Sequence, residues 1–63
     1  MNNRYLKRKA NELYELEHGE ETLVSGMRVV RNYAMYIVHL DDGNYVMLPD
    51  INSVLEFVDD YRG

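Results

Sequence analysis

Two imidazoles, eleven carboxylates and no thiol bound the chemistry open to this 63-residue chain. His39 stands two residues from Asp41, and Asp41, Asp42 and Asn44 crowd around Gly43, a grouping that invites a catalytic or metal-binding reading. The spacing supports neither. A calcium loop draws roughly six to eight oxygen ligands from a longer, specifically spaced segment, and acids beside a glycine are the ordinary composition of a turn. Zinc needs three or four ligands, and His18 and His39 are the whole supply of imidazole in a chain without cysteine. Ser25 and Ser53 have no evident base and orienting acid beside them, which a hydroxyl nucleophile requires. No glycine-rich loop opens a helix to cradle a phosphate. The residues predict a protein that is not an enzyme and that takes no cofactor and no metal.

Binding is better represented. Arg4, Lys7, Arg8 and Lys9, with Tyr5 among them, form a basic head, while all eleven acids lie beyond it against Arg28, Arg31 and Arg62. The head could meet a few phosphates and give weak, salt-sensitive binding. The chain as a whole carries −4 and repels nucleic acid. A nucleic-acid-binding transcriptional regulator using Arg4, Lys7, Arg8 and Lys9 is therefore the alternative and not the main reading. Glu12, Glu15, Glu17, Glu20 and Glu21, with Glu56, Asp59 and Asp60, could instead present a phosphate-like row to a basic groove on another protein, and Glu15, Glu17, Glu20, Glu56, Asp59 and Asp60 are the candidates for that contact. The plainer role for such acids is a solvated surface.

The elements that must position these residues follow from periodicity. Residues from about 3 to 18 read as a helix, capped by Asn2 or Asn3, with Leu6, Ala10, Leu13 and Leu16 on one stripe and Tyr14 at its edge. Gly19 suits the left-handed position that ends many helices. The charges of this helix oppose its dipole, with bases in the first half and Glu12, Glu15 and Glu17 in the second. A first strand is expected over 22–31, with Gly26 as a bulge or close backbone approach. Arg31-Asn32 then turns the chain into a second strand ending at Leu40. Asp41-Asp42-Gly43-Asn44 is a hairpin signal, closing in a two-residue turn at Asp42-Gly43, and a third strand over 45–48 ends at Pro49. Ser53 and Glu56 fit a capping box for a second helix, or Asp50 caps it one turn earlier. Ile51, Val54, Leu55 and Val58 give that helix its apolar stripe. The predicted class is α+β: an N-terminal helix, a three-stranded antiparallel meander and a C-terminal helix (αβββα), in a single domain spanning 1–63.

Alternate residues of a strand face opposite sides, and here both sides are apolar. Leu23, Met27, Val29, Ala34, Tyr36, Val38, Leu40, Tyr45 and Met47 are the expected core beneath the helices. Val24, Arg28, Val30, Tyr33, Met35, Ile37, His39, Val46 and Leu48 are the expected opposite face. Tyr, Met and Arg are enriched at protein interfaces, and a contiguous apolar patch of several hundred Å2 marks a contact site. Arg28, Tyr33, Met35, Ile37 and His39 are thus candidates for apolar association with another protein, and a homodimer through this face is compatible with the pattern. The competing arrangement is a three-layer sandwich, with one helix on each face and nothing uncovered.

The longest apolar run, 34–38, is far short of the roughly 20 residues of a membrane helix, and no apolar segment follows the basic head as in a signal peptide. With no cysteine, the expectation is a cytoplasmic protein without membrane contact. A basic-then-acidic helix, a meander carrying Leu40-Asp41-Asp42-Gly43-Asn44-Tyr45 and a closing acidic helix resemble the plan of small phage and mobile-element accessory proteins, some anti-CRISPR inhibitors among them. The resemblance covers most of the chain and rests on architecture, size and acidity. It implies an inhibitor that occupies the surface of a host protein, in the host cytoplasm. No motif matches, so no functional residue carries over.

Overall fold

A computed structural model describes residues 3–62, the side chain of Asn3 excepted, so the capping expected of Asn2 or Asn3 lies outside the described residues. The order is α1 (Asn3–Glu15), β1 (Glu21–Val24), β2 (Met27–Asn32), β3 (Met35–His39), β4 (Tyr45–Leu48) and α2 (Ile51–Arg62). The class is α+β, and the four strands form one antiparallel meander in chain order.

The sheet has four strands, not three, because the expected first strand is itself a hairpin. Ser25 and Gly26 both take positive φ, 49° and 80°, which is the two-residue turn whose twist matches paired strands. Gly26 is a turn residue and not a bulge. Val24 therefore pairs with Met27 and Thr22 with Val29, which carries Val24 into the core and leaves Leu23 on the other face. The next turn is Tyr33-Ala34, two residues later than the expected Arg31-Asn32, with Asn32 paired to Met35. The shift is an even number of residues, so Met27, Val29, Tyr36 and Val38 keep their expected side and are buried. Tyr33 and Ala34 belong to the turn and are exposed, so neither lies on the face assigned to it.

The β3–β4 loop slips by one residue. Leu40 N–H donates to the Asn44 carbonyl at 2.8 Å, enclosing Asp41, Asp42 and a left-handed Gly43 with φ 89°. Asn44 N–H also donates to Asp42 Oδ1 at 3.0 Å. This three-residue loop replaces the expected two-residue turn, and a one-residue change of register moves every side chain to the other face. Val46 and Leu48 consequently face the helices, while Tyr45 and Met47 face away.

Both helices cover the same side. Leu13 of α1 and Val54 and Val58 of α2 are buried with Val24, Met27, Val29, Tyr36 and Val38, and Leu16, Leu40, Val46, Leu48, Ile51, Leu55 and Phe57 pack around them. α1 lies on β1, α2 on β3 and β4, and the helices touch each other. They run antiparallel: the Ser25 N–H donates to the Tyr5 hydroxyl in the first turn of α1 at 2.6 Å, and Arg62, in the last turn of α2, borders the neighbouring Gly26. The result is two layers rather than three, with extents of 27 × 27 × 16 Å.

The helix ends also differ from expectation. α1 stops at Glu15, short of His18. Gly19 has φ 89° but sits in the turn toward β1, its N–H donating to the Arg31 carbonyl. α2 begins at Ile51 and is capped by Asp50, whose Oδ1 accepts from the Ser53 N–H at 2.8 Å. Ser53 is thus inside the first turn, and the earlier of the two expected caps is the one used.

Among the described residues, a methyl added at Gly26 meets only Arg62 Nη2 at 3.8 Å, so Gly26→Ala carries chiefly the backbone cost. The substitution is expected to lower stability by about 1 kcal/mol, read as a lower urea midpoint with unchanged slope. An unchanged midpoint would show that the turn does not depend on positive φ there.

Three carboxyls are held below their ordinary values. Glu12 is lowered chiefly by the Thr22 hydroxyl and then by Lys9, Asp42 by the Asn44 N–H and Asp50 by the Ser53 N–H. A depressed folded value means that the unfolded chain binds the proton first. Their stabilisation is therefore complete above roughly pH 4.5 and is lost as pH falls through the folded values. Urea unfolding across acid pH should show that decline, and Glu12→Gln should flatten it; an identical profile in the variant would contradict the assignment.

Candidate functional site

The side of the sheet away from the helices is built from alternate residues of all four strands. Glu21, Val30, Ile37 and Met47 stand in register across it. In the next row Leu23 faces Arg28 and His39 faces Tyr45, and Asn32 with Met35 closes the β2–β3 end. Val30, Met35, Ile37 and His39 are half-buried among their sheet neighbours. Leu23, Tyr45 and Met47 remain 57, 61 and 44% exposed. The two edge strands thus carry the most accessible apolar groups and the middle strands a shallower apolar floor.

The face has little net charge. Arg28 Nε lies 3.7 Å from Glu21 Oε2, a pair too exposed to add much stability but enough to neutralise both groups. His39 and Tyr45 hold their rings 6.4 Å apart at a tilt. Four of the five residues expected here, Arg28, Met35, Ile37 and His39, do share this surface. Tyr33 does not; its place is taken by Leu23, Tyr45 and Met47, which sequence reasoning put in the core. The signal for them was present in the Ser25-Gly26 dipeptide, which reads as a turn, and in Gly43 as the left-handed residue of a three-residue loop.

Tyr33 instead helps to build a second feature, at the end where α1 finishes and α2 begins. It adopts φ 55°, stacks on the His18 ring at 4.0 Å and donates its N–H to His18 Nδ1 at 3.1 Å. Arg31 gathers this end together. Its Nε donates to the Tyr33 carbonyl, and Nη1 donates to the Leu16 carbonyl at 3.1 Å. The guanidinium carbon also lies 5.3 Å from the centre of the Tyr36 ring. An open cleft of about 650 Å3 lies here, with Tyr14, Arg31, Tyr36 and Asp50 among its walls. Arg31 thus holds two backbone carbonyls and the Tyr36 side chain, whose hydroxyl accepts from Nη1 at 3.4 Å.

The acidic residues are not gathered into one row. Glu15, Glu17 and Glu20 lie at the carboxyl end of α1, where Glu20 Oε1 accepts from the Glu17 N–H at 2.8 Å. Asp59 and Asp60 lie at the carboxyl end of α2, which is the opposite end of the molecule, and Glu56 is between them and its amino end. In the basic head, Lys9 pairs with Glu12 at 3.2 Å, while Arg4, Lys7 and Arg8 are exposed. Tyr5 is built into the fold through Ser25 and through the Arg8 and Lys9 cations, 5.8 and 5.6 Å from its ring centre. It is not presented for base stacking.

Asp41 accepts from Arg62 through both oxygens, at 2.9 and 3.2 Å, and so closes the β3–β4 loop onto α2. Among the described residues, no three His, Cys, Asp or Glu side chains converge on a point where a metal ion could sit. No described helix is long and apolar enough to cross a membrane. Comparison with protein-family models, curated proteins and solved structures finds no match to this chain.

Proposed function

We propose that this chain is a small non-catalytic protein–protein interaction module that works by stoichiometric contact through the open face of its sheet. The observation that carries the reading is the one-sided cover: both helices lie on the Val29 and Val38 side, and the Val30–Ile37–Met47 row is left bare. Apolar side chains spread over four strands exceed the scattered exposure normal for a soluble surface. Arg28 and Tyr45 add the residue types that anchor interfaces. In its finer form the proposal makes the chain an inhibitor of the phage accessory type, working in the cytoplasm and blocking a host protein. Its acidic helix side, with Glu15, Glu56 and Asp60 exposed, would then be free for a basic target.

Ile37→Asp tests the reading. It should abolish association while the far-ultraviolet circular dichroism and cooperative unfolding persist, because Ile37 stands in register with Val30 and Met47 on the side of the sheet away from the helices and outside the buried core. Global unfolding of the variant would place Ile37 in the core and remove the proposal.

The rival, a nucleic-acid-binding regulator acting through Arg4, Lys7, Arg8 and Lys9, is separated by salt. A titration of duplex DNA should show no binding at moderate ionic strength. A linear fall of log affinity with log salt, with a slope of several ions, would favour the rival instead.

A further inference from the structure

The geometry points to the cleft between the end of α1 and the start of α2 as a binding site for a small zwitterion. The ligand class is a free aromatic α-amino acid, its carboxylate on Arg31 and its ammonium on Asp50. This site is separate from the open sheet face and does not depend on the reading given to that face.

Arg31 carries the first half of the argument. It pairs with Tyr36 across β2 and β3, and it is half-buried. A guanidinium has five N–H donors. Three are engaged by neutral oxygens: Nε by the Tyr33 carbonyl, Nη1 by the Leu16 carbonyl and the Tyr36 hydroxyl. Those contacts fix the group in place without neutralising it. Among the described residues, Nη2 has no acceptor and Arg31 has no carboxylate partner, whereas Lys9, Arg28 and Arg62 each have one. Such a cation attracts an anion strongly, because its ordering and partial desolvation are complete before the anion arrives.

Asp50 carries the second half. It lines the same cleft, yet it makes no ion pair with Arg31 or with any other described cation. Its Oδ1 accepts from the Ser53 N–H, and that bond keeps the carboxyl ionised at neutral pH. A carboxylate has about four acceptor positions, so room remains for a ligand. A simple anion would meet repulsion from Asp50, and a simple cation repulsion from Arg31. A molecule with both charges answers both, through charge-assisted hydrogen bonds that are stronger than neutral ones.

The rest of the lining selects the body of the ligand. Tyr14 is 78% exposed, and Ala34, Pro49 and Ile51 extend the apolar surface beside it. A ring on the ligand gains by stacking on Tyr14. The opening of about 650 Å3 lies within the roughly 300–1,000 Å3 of small-molecule sites.

Titration of the intact chain with phenylalanine, followed by two-dimensional NMR, tests the inference. The expected result is a dissociation constant below about 1 mM, with shifts at the Arg31 side chain, Tyr14 and the first turn of α2. Phenylpropionate lacks the ammonium and phenethylamine lacks the carboxylate. Each is expected to bind at least about tenfold more weakly than phenylalanine. Asp50→Asn keeps a capping oxygen and removes the charge. It should weaken phenylalanine about tenfold and leave phenylpropionate no weaker than before. Absence of phenylalanine binding at several millimolar overturns the inference, as does either analogue binding the native chain as tightly as phenylalanine. A folded Asp50→Asn chain with native affinity for phenylalanine overturns it too. The analogue series needs no variant, so it decides the matter even where Asp50→Asn fails to fold.

Discussion

Leu13 from one helix and Val54 and Val58 from the other close on Val24, Met27, Val29, Tyr36 and Val38 across a single side of the sheet. Burying one such side chain is worth about 1.5–3 kcal/mol, and ordering the backbone costs about 1–2 kcal/mol per residue. A chain this short has no surplus with which to build a second core. Its two helices are most effective when they share one, because each then packs against the sheet and against the other. That economy leaves the second face of the sheet bare. The open face is thus a consequence of where the core forms, and the functional reading depends on it.

The same packing accounts for a charge pattern that looks unfavourable on α1 alone. The helix has no acid in its first turn and no base in its last, so its own charges do nothing to offset the dipole. The fold supplies what the helix lacks. Arg31 reaches from β2 to the Leu16 carbonyl, and the Tyr36 hydroxyl donates to the Leu13 carbonyl at 3.2 Å, so the carboxyl end of α1 receives a cation and a donor from the sheet. At the other end, antiparallel packing brings the basic head of α1 to the carboxyl-terminal end of α2, where the dipole is negative and Asp59 and Asp60 add acid. The inverted charges of α1 suit a helix read in pairs.

Much of the architecture was legible from local signals. The second helix showed its stripe of Ile51, Val54, Leu55 and Val58, the loop at Gly43 showed its acids and glycine, and the strand through Ile37 showed its apolar run. The errors came where a single residue of offset decides a face. Reading 22–31 as one strand missed the Ser25-Gly26 hairpin and reversed Leu23 and Val24. Treating the Asp42-Gly43 pair as the whole turn reversed Tyr45, Val46, Met47 and Leu48. The mistaken turn at Arg31-Asn32 did no such harm, since an offset of two preserves the side. Candidate residues on β2 and β3 were accordingly placed well, and those on the edge strands were not.

Periodicity and turn chemistry are local properties, set by a few neighbouring side chains and by the backbone angles that glycine and asparagine allow. By itself the chain therefore determined its helices, its antiparallel strands and the apolar character of both faces of the sheet. Which face is buried, how the turns set the register, and the meeting of Arg31 with the end of α1 join residues far apart along the chain. Those were decided only when two helices competed for one surface, because burial depends on what comes to lie opposite and not on what lies alongside in the chain.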